Sequence, residues 1–381
     1  MAVPERRASR RTIDGMSLPS RPLLFASGED AYVADRVIRS WTTEDGADAA
    51  WASEVIAALP AGERAIGALS FAAGAPGILH QVVGSERPLV GPETTPRERK
   101  YEVYEFPTAE AYADMVRAVL DKIAAGVVRK VVIGRCLDVI SDPPLEPAEI
   151  IDRLLETRPG RYVFSVPLTE SLVDGPLLVG ASPELLVSRH GDQIACTPLA
   201  GSVPRSADPD EDARRATALQ ASDKDLAEHA FVVDAIVHAL KEVCVDVEPP
   251  TGPTMLATDT VWHLASPITA RLEDPATGPS ALHLAQMLHP TPAVGGVPAA
   301  AAAEAIADLE GDLRDYFAGC VGWVDGSGDG VFAITIRAAV IDGARMRLFA
   351  GAGIVAGSDP DSEVRETGAK LATMTKVAGL S

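Results

Sequence analysis

Asp225 and Glu228 stand three residues apart, and Glu363, Glu366 and Lys370 follow an i, i+3, i+7 spacing. On a helix such spacings gather the charges on one face. Acids so placed ordinarily form a solvated face. Two such faces brought together would instead offer an oxygen shell to a hard, partly hydrated cation such as Mg²⁺. Lys130 interrupts an apolar strand, where it marks the solvent face or, if buried, can act as a base. Glu184, in GASPELLV, is either an exposed carboxylate at a strand start or, in an apolar cavity, a proton donor of raised pKa. Arg337, in AITIRAAV, needs an anionic partner once desolvated, supplied by an internal acid or by a ligand carboxylate. GAGIVAG at 351–357 nearly spells a dinucleotide fingerprint, but its third glycine is one residue late and too little chain follows for the rest of that fold. It reads as a glycine turn whose backbone N–H groups hold a carboxylate, or as a plain tight turn. His263, His283 and His289 lack compact metal-ligand spacing and read as helix-end or loop residues.

The elements that must carry these residues sharpen from Phe106 onward. Thr108 caps a helix with the stripe Tyr112, Met115, Val116, Val119, Leu120 and Ile123, ended by Gly126. VVRKVVIGRCLDVI is a strand with Val131, Ile133, Leu137 and Val139 on one face; Lys130 lies on the other, beside Val132, Gly134 and Cys136. A helix near 146–157 and the strands RYVFSVPL and PLLVGAS follow. ELLVSRHGDQIACTPLAGS reads as a hairpin turning at His190–Asp192. Asp208-Pro209 opens a helical stretch that restarts at Ser222, where Ser222 and Asp225 make a capping pattern. The next helix, Asp223 to about Val243, buries Leu226, Ala230, Val233, Ile236, Val237 and Leu240. FAGCVGWVD, VFAITIRAAVI and MRLFAGAGIV, joined by the turns GSGDG and DGAR, form a hairpin series. Ser358-Asp359-Pro360 starts a final helix. Hairpins interleaved with long helices, without βαβ alternation, indicate one large α+β domain. Residues 1–100 are Gly/Pro/Ala-rich with weak periodicity and no legible chemistry.

Composition narrows the function classes. Among 381 residues, 34 Lys+Arg face 54 Asp+Glu, for a net charge of −20. That balance argues against a nucleic-acid or anionic-membrane binder, which needs a basic surface. Cys136, Cys196, Cys244 and Cys320 are far apart with no CxxC pair, which suits a reducing cytoplasm. Arg6, Arg7, Arg10 and Arg11 lie in what reads as a disordered tail, residues 1–20, with no apolar stretch of signal-peptide length behind it. The uncharged run 275–303 holds Pro279, Pro290, Pro292 and Pro298 with His283 and His289, so it is no membrane span.

Taken in order, RKVVIGR, GASPELL, PLAGS, KDLAEH, WHLASPI, LHPTPAVGG, YFAGCVGW, ITIR, LFAGAGIV and EVRETGAKL resemble the chorismate-utilising enzymes. That family comprises isochorismate synthases, salicylate synthases, anthranilate synthase and aminodeoxychorismate synthase. The strongest likeness is to isochorismate synthases of catecholate-siderophore pathways. It runs from about Tyr101 to Leu380, so 101–381 is read as the catalytic region and 21–100 as a weakly matched N-terminal part of the fold. The resemblance implies two antiparallel β-sheets covered by helices, with the active site between them. It implies Lys130 as the base that activates water and Glu184 as the acid that protonates the departing hydroxyl. Glu228 and Glu366 correspond to Mg²⁺ ligands, with Asp225 and Glu363 as nearby or water-mediated contributors. Mg²⁺ would hold the ring carboxylate of chorismate; Arg337 and the backbone around Ala352 and Gly353 would hold the enolpyruvyl carboxylate. Gly201 and Ser202 would line the pocket, and Lys370 would neighbour the metal carboxylates.

The same resemblance narrows the reaction. Ammonia-using anthranilate synthases lack a lysine at the position of Lys130, and aminodeoxychorismate synthases carry a nucleophilic lysine at that of Ala200. Here water is the expected nucleophile. Salicylate-forming relatives tend to have Thr and Tyr at the positions of Ala293 and Phe317, so isochorismate is the expected product. Gly134 and Ser202 depart from the common pattern, where Ala or a small polar residue and Thr are usual. The competing readings are a salicylate synthase, a menaquinone-pathway isochorismate synthase and an inactive chorismate-binding scaffold. A cytoplasmic monomer acting on a small molecule is expected, with no glutaminase partner.

Overall fold

Short-range signals start the helices. Thr108 accepts the amide of Ala111 ahead of Ala109–Ala124, and Ser222 accepts that of Asp225 ahead of Asp223–Leu240. Asp208 and Asp359 cap Pro209–Gln220 and Pro360–Ala378, each with proline in the first turn. Every cap satisfies an amide that the helix leaves unpaired. The computed structural model describes residues 21–380 apart from 29, 44–45, 73, 89–97 and 158–160, so the expected tail at 1–20 lies outside it. The remaining helices are Ala49–Ala58, Pro147–Thr157, Ala281–Leu288 and Ala299–Glu310.

Seventeen strands join in one antiparallel network. Its first run is Lys100–Phe106, Lys130–Asp142, Arg345–Val355, Ala338–Asp342, Leu177–Ser182, Tyr162–Pro167 and Leu24–Ser27. The long pair Asp30–Thr43 and Gly77–Pro88 carries it across. The second run is Arg64–Leu69, Cys320–Asp325, Gly330–Ile334, Leu185–His190, Gln193–Thr197, Ile268–Arg271 and Val245–Glu248. These runs are the two antiparallel sheets of the α+β architecture, joined through the N-terminal strands. An apolar layer fed by both, including Phe25, Phe164 and Leu178 from one and Ile66, Val321 and Val331 from the other, holds them together. Pro147–Thr157 and Pro360–Ala378 cover the outer face of the first sheet. Ala49–Ala58 and Ala281–Leu288 cover the second.

Leu199–Pro204, Val261–Ala265 and Thr254–Ala257 make a separate small sheet. Residues 130–137 are buried on both faces of their strand, so Lys130 does not mark a solvent side. All four cysteines are free thiols. Among the described residues no helix is long and apolar enough to cross a membrane.

Candidate active site

The small sheet, the helices Asp223–Leu240 and Pro360–Ala378, and the strand Arg345–Val355 surround a cavity of about 390 Å³. That volume is in the range of small-ligand sites. Glu184, Gly201, Ser202, Asp225, Glu228, Ala293, Phe317, Arg337, Gly353, Glu363, Glu366 and Lys370 all line it. Residues scattered through the sequence analysis are therefore brought to one place. Lys130 and Ala352 are the exceptions: Lys130 is fully buried beside Glu228, and the Ala352 side chain lies in the core, because alternate residues of a strand face opposite ways, so that Gly351 and Gly353 line the cavity instead.

Lys130 is fully buried. Its Nζ lies 3.0 Å from Glu228 Oε1, at an angle that makes no directed hydrogen bond. The expected turn of GAGIVAG is confined to Ala356 and Gly357, the latter at φ 88, and GAGIV itself is extended. It continues a strand whose ladder runs to Val355 opposite Lys130. The glycine at 353 answers to crowding rather than to a turn: a Cβ there would overlap Glu228 Oε1 and stand 3.1 Å from Lys130 Cε. Gly353→Ala should consequently cut kcat/KM by about a hundredfold, the cost of a misplacement near 1 Å, with a stability loss of only about 1–3 kcal/mol from overpacking. Kinetics and thermal melts of this variant check the point; unchanged kinetics would show the Lys130–Glu228 geometry to be irrelevant.

Glu184 sits in the break between Leu177–Ser182 and Leu185–His190. Its amide donates to Ser182 Oγ at 3.2 Å, and its Oε1 accepts from the Leu199 amide at 3.4 Å. Burial raises its pKa to about 7, against the pull of the Leu199 amide, Lys130, Arg337 and Lys370. A carboxyl group in that state can deliver a proton near neutral pH.

Arg337 is buried with its backbone in the left-handed region, at φ 52. Its Nη2 donates to His263 Nε2 at 3.2 Å. Burial, helped by the neighbouring Arg337, holds His263 well below its ordinary pKa, so a neutral imidazole nitrogen accepts. His263 thus belongs to the strand Val261–Ala265, not to a loop or helix end as read from sequence; His283 and His289 do lie at the two ends of Ala281–Leu288. Burial lowers Arg337 to about 10, which leaves it cationic at neutral pH. It forms no ion pair with the described residues and its Nε has no partner. The alternative of an internal acid is therefore not realised, and the guanidinium faces the cavity ready for an anion.

Three of the four cavity acids on the two helices are held by lysines, Glu228 among them. Glu363 pairs with Lys224 at 3.3 Å and Glu366 with Lys370 at 2.5 Å. Ser202 Oγ donates to Glu366 at 2.7 Å, and Lys370 donates to the Gly351 carbonyl at 2.8 Å. Crowding shows in their titration. Burial raises Asp225, and burial with the nearby Glu366 raises Glu363 to about 7. Burial pushes Glu366 up too, but Lys370 and Ser202 bring it below the ordinary range. Among the described residues, no three His, Cys, Asp or Glu side chains stand close enough to hold a metal as placed. The donor set is nonetheless all carboxylate oxygen on one cavity wall, the chemistry a hard divalent cation requires.

Sequence reading missed several contributors. His263 and Lys224 line the cavity, and His229 bridges the Ala200 carbonyl and Ser266 Oγ at 3.1 and 2.7 Å. Only WHLA, alternating about a buried histidine, signalled the first. Phe317 stacks on Phe349 at 5.2 Å and, with Ala293, makes one wall apolar.

Residues 81–379 match the family described as chorismate binding enzyme. The chain is 45% identical over 282 residues to isochorismate synthase DhbC of Bacillus subtilis, spanning 74% of this chain and 70% of that one. It is 41% identical over 275 residues to isochorismate synthase EntC of Escherichia coli K12, spanning 72% and 68%. DhbC from Bacillus anthracis overlays with a TM-score of 0.88 at 37% identity, covering 95% of this chain and 97% of the other. Anthranilate synthase component I from Streptococcus pneumoniae shares the fold, with a TM-score of 0.72 at 21% identity over 97% and 95% of the chains. This chain belongs to the family of chorismate-binding enzymes.

Proposed function

We propose that the protein isomerises chorismate to isochorismate. Water adds at C2, the conjugated double bonds shift toward C4, and the C4 hydroxyl departs as water once protonated. One water enters and one leaves, so no co-reactant is needed. Lys130 takes the proton of the attacking water and Glu184 supplies the proton to the leaving group. Arg337 holds the enolpyruvyl carboxylate. Glu228 and Glu366, with Asp225 and Glu363 beside them, would bind Mg²⁺, which when bound neutralises the ring carboxylate. The observation that carries the reading is a cavity lined by a glutamate raised to about 7 and by Glu228, whose Oε1 lies 3.0 Å from a fully buried lysine. The activity named for the DhbC and EntC relatives supports it.

The apolar wall of Ala293 and Phe317 supports release of isochorismate without elimination of pyruvate. No hydroxyl there grips the enolpyruvyl end in a reactive pose. A time course with chorismate and Mg²⁺, followed by chromatography, should show isochorismate accumulating towards equilibrium with only trace salicylate and pyruvate. Ala293→Thr with Phe317→Tyr should raise pyruvate release. Stoichiometric pyruvate from the unaltered enzyme would instead make it a salicylate synthase.

For the fate of the product we favour 2,3-dihydroxybenzoate and siderophore synthesis, in the cytoplasm and by a monomer. In support, DhbC from Bacillus anthracis, named as 2,3-dihydroxybenzoate-specific, shares 37% identity over 95% of this chain. A deletion strain whose growth under iron limitation returns with 2,3-dihydroxybenzoate would bear this out; a requirement for menaquinone would contradict it.

A further inference from the structure

Glu310 ends the helix Ala299–Glu310, and Arg314 follows in the turn beyond it. Their side chains are 0% and 5% exposed. Arg314 Nε and Nη2 grip Glu310 Oε2 and Oε1 at 2.7 and 2.9 Å, a fork that lysine cannot make. The other hydrogen bonds leave the helix. Nη1 donates to the Val294 carbonyl at 2.6 Å and Nη2 to the Val132 carbonyl at 2.5 Å, while the Gly134 amide donates to Glu310 Oε1 at 2.7 Å. The Phe71 ring lies 4.1 Å from the guanidinium carbon.

These contacts converge on the walls of the catalytic cavity. Val132 and Val294 both line it. Val132 and Gly134 share a strand face with Lys130, and Val294 adjoins Ala293. Neither Glu310 nor Arg314 lines that cavity. Burying two charges is costly unless their hydrogen bonds are met, and here they are met largely by backbone atoms of the segments that carry Lys130 and Ala293.

We infer that Glu310 and Arg314 are positioning residues for the isomerisation. They act as a buried staple that sets the strand of Lys130 against the wall containing Ala293. The inference rests on the function proposed above. It has a further consequence: Arg314 also lines a second cavity of about 780 Å³ on its far side, so the space left by its removal is reachable by a small cation.

Arg314→Lys and Glu310→Gln keep size and polarity at the staple and are the primary variants. Each should lose about ten- to a hundredfold in kcat, with KM within about threefold of the parent, the signature of an interaction felt at the transition state. The thermal midpoint should hold to within a few degrees. In Arg314→Ala, millimolar guanidinium chloride should restore part of kcat, and equal sodium chloride or urea should not. Normal kcat in Arg314→Lys, or lost stability with unchanged kcat per folded molecule, overturns the proposal. Amide exchange in 130–136 and 292–297 decides the same point without turnover: selectively faster exchange in Arg314→Lys supports the staple, and unchanged exchange overturns it. An unaltered enzyme that makes no isochorismate would sink the proposed function, while the exchange result still judges the staple.

Discussion

Lys130→Ala and Glu184→Gln should each lower chorismate turnover by about two to four orders of magnitude, the usual scale for a general base or acid. Substrate affinity should survive, since Arg337 and the acids of the two helices remain. The two variants differ in stability. Lys130→Ala leaves the buried Glu228 without the amino group 3.0 Å away and should melt lower. Glu184→Gln replaces a group already raised to about 7 by burial with a neutral one of the same shape, and should melt near the parent. The pH dependence of the parent follows from the same shift. Glu184 must carry its proton to act, and burial moves its titration up from 4.5 to about 7. kcat/KM should therefore fall as pH rises through about 7. Lys130, Arg337 and Lys370 all oppose the shift, so Lys370→Gln should move that limb to higher pH. Near-normal turnover in Lys130→Ala would require another base.

Chelation should have an equally large effect. EDTA should abolish activity and Mg²⁺ restore it, while Glu228→Gln and Glu366→Gln should be inactive at any Mg²⁺ concentration yet remain folded. The reason is electrostatic. Asp225, Glu228, Glu363 and Glu366 crowd one cavity wall, and Lys130, Lys224 and Lys370 hold three of them. A dicarboxylate substrate cannot approach that wall until a cation covers it. Removing one carboxylate charge weakens the hold on the cation and frees a lysine at once. Full activity in the presence of EDTA would contradict the assignment.

Much of this was legible in sequence where the interactions are local. The caps at Thr108, Ser222 and Asp359, the carboxylate spacing on two helices and the hairpin turns all follow from contacts a few residues apart. The order of ten motifs then identified the family and with it the roles proposed for Lys130 and Glu184. What stayed hidden depends on distance. Arg337 and His263 are 74 residues apart in sequence, and nothing near either announces the other. Glycine ordinarily signals a turn, as Gly357 does; Gly353 instead answers to the closeness of Glu228. Glu310 and Arg314 drew no notice because acid and base four apart usually decorate a wet helix face. The strands Asp30–Thr43 and Gly77–Pro88 were illegible for another reason. Their pairing register shifts at bulges between Ala34 and Arg36 and between Val37 and Arg39, which breaks the two-residue alternation a reader looks for.

The pairing of Lys130–Asp142 with Arg345–Val355 also bears on how the enzyme comes into being. The salt bridge between Asp138 and Arg347 spans 209 residues of chain. Closing so long a loop costs entropy before any contact returns it, and such non-local pairing is slow. The strand that holds Lys130, the proposed base, is complete on this edge only once the last strand, Arg345–Val355, has arrived, and until then that edge is unpaired and strongly apolar. Nascent or refolding molecules are most vulnerable to aggregation in that interval, and catalytic competence belongs to the final step of folding.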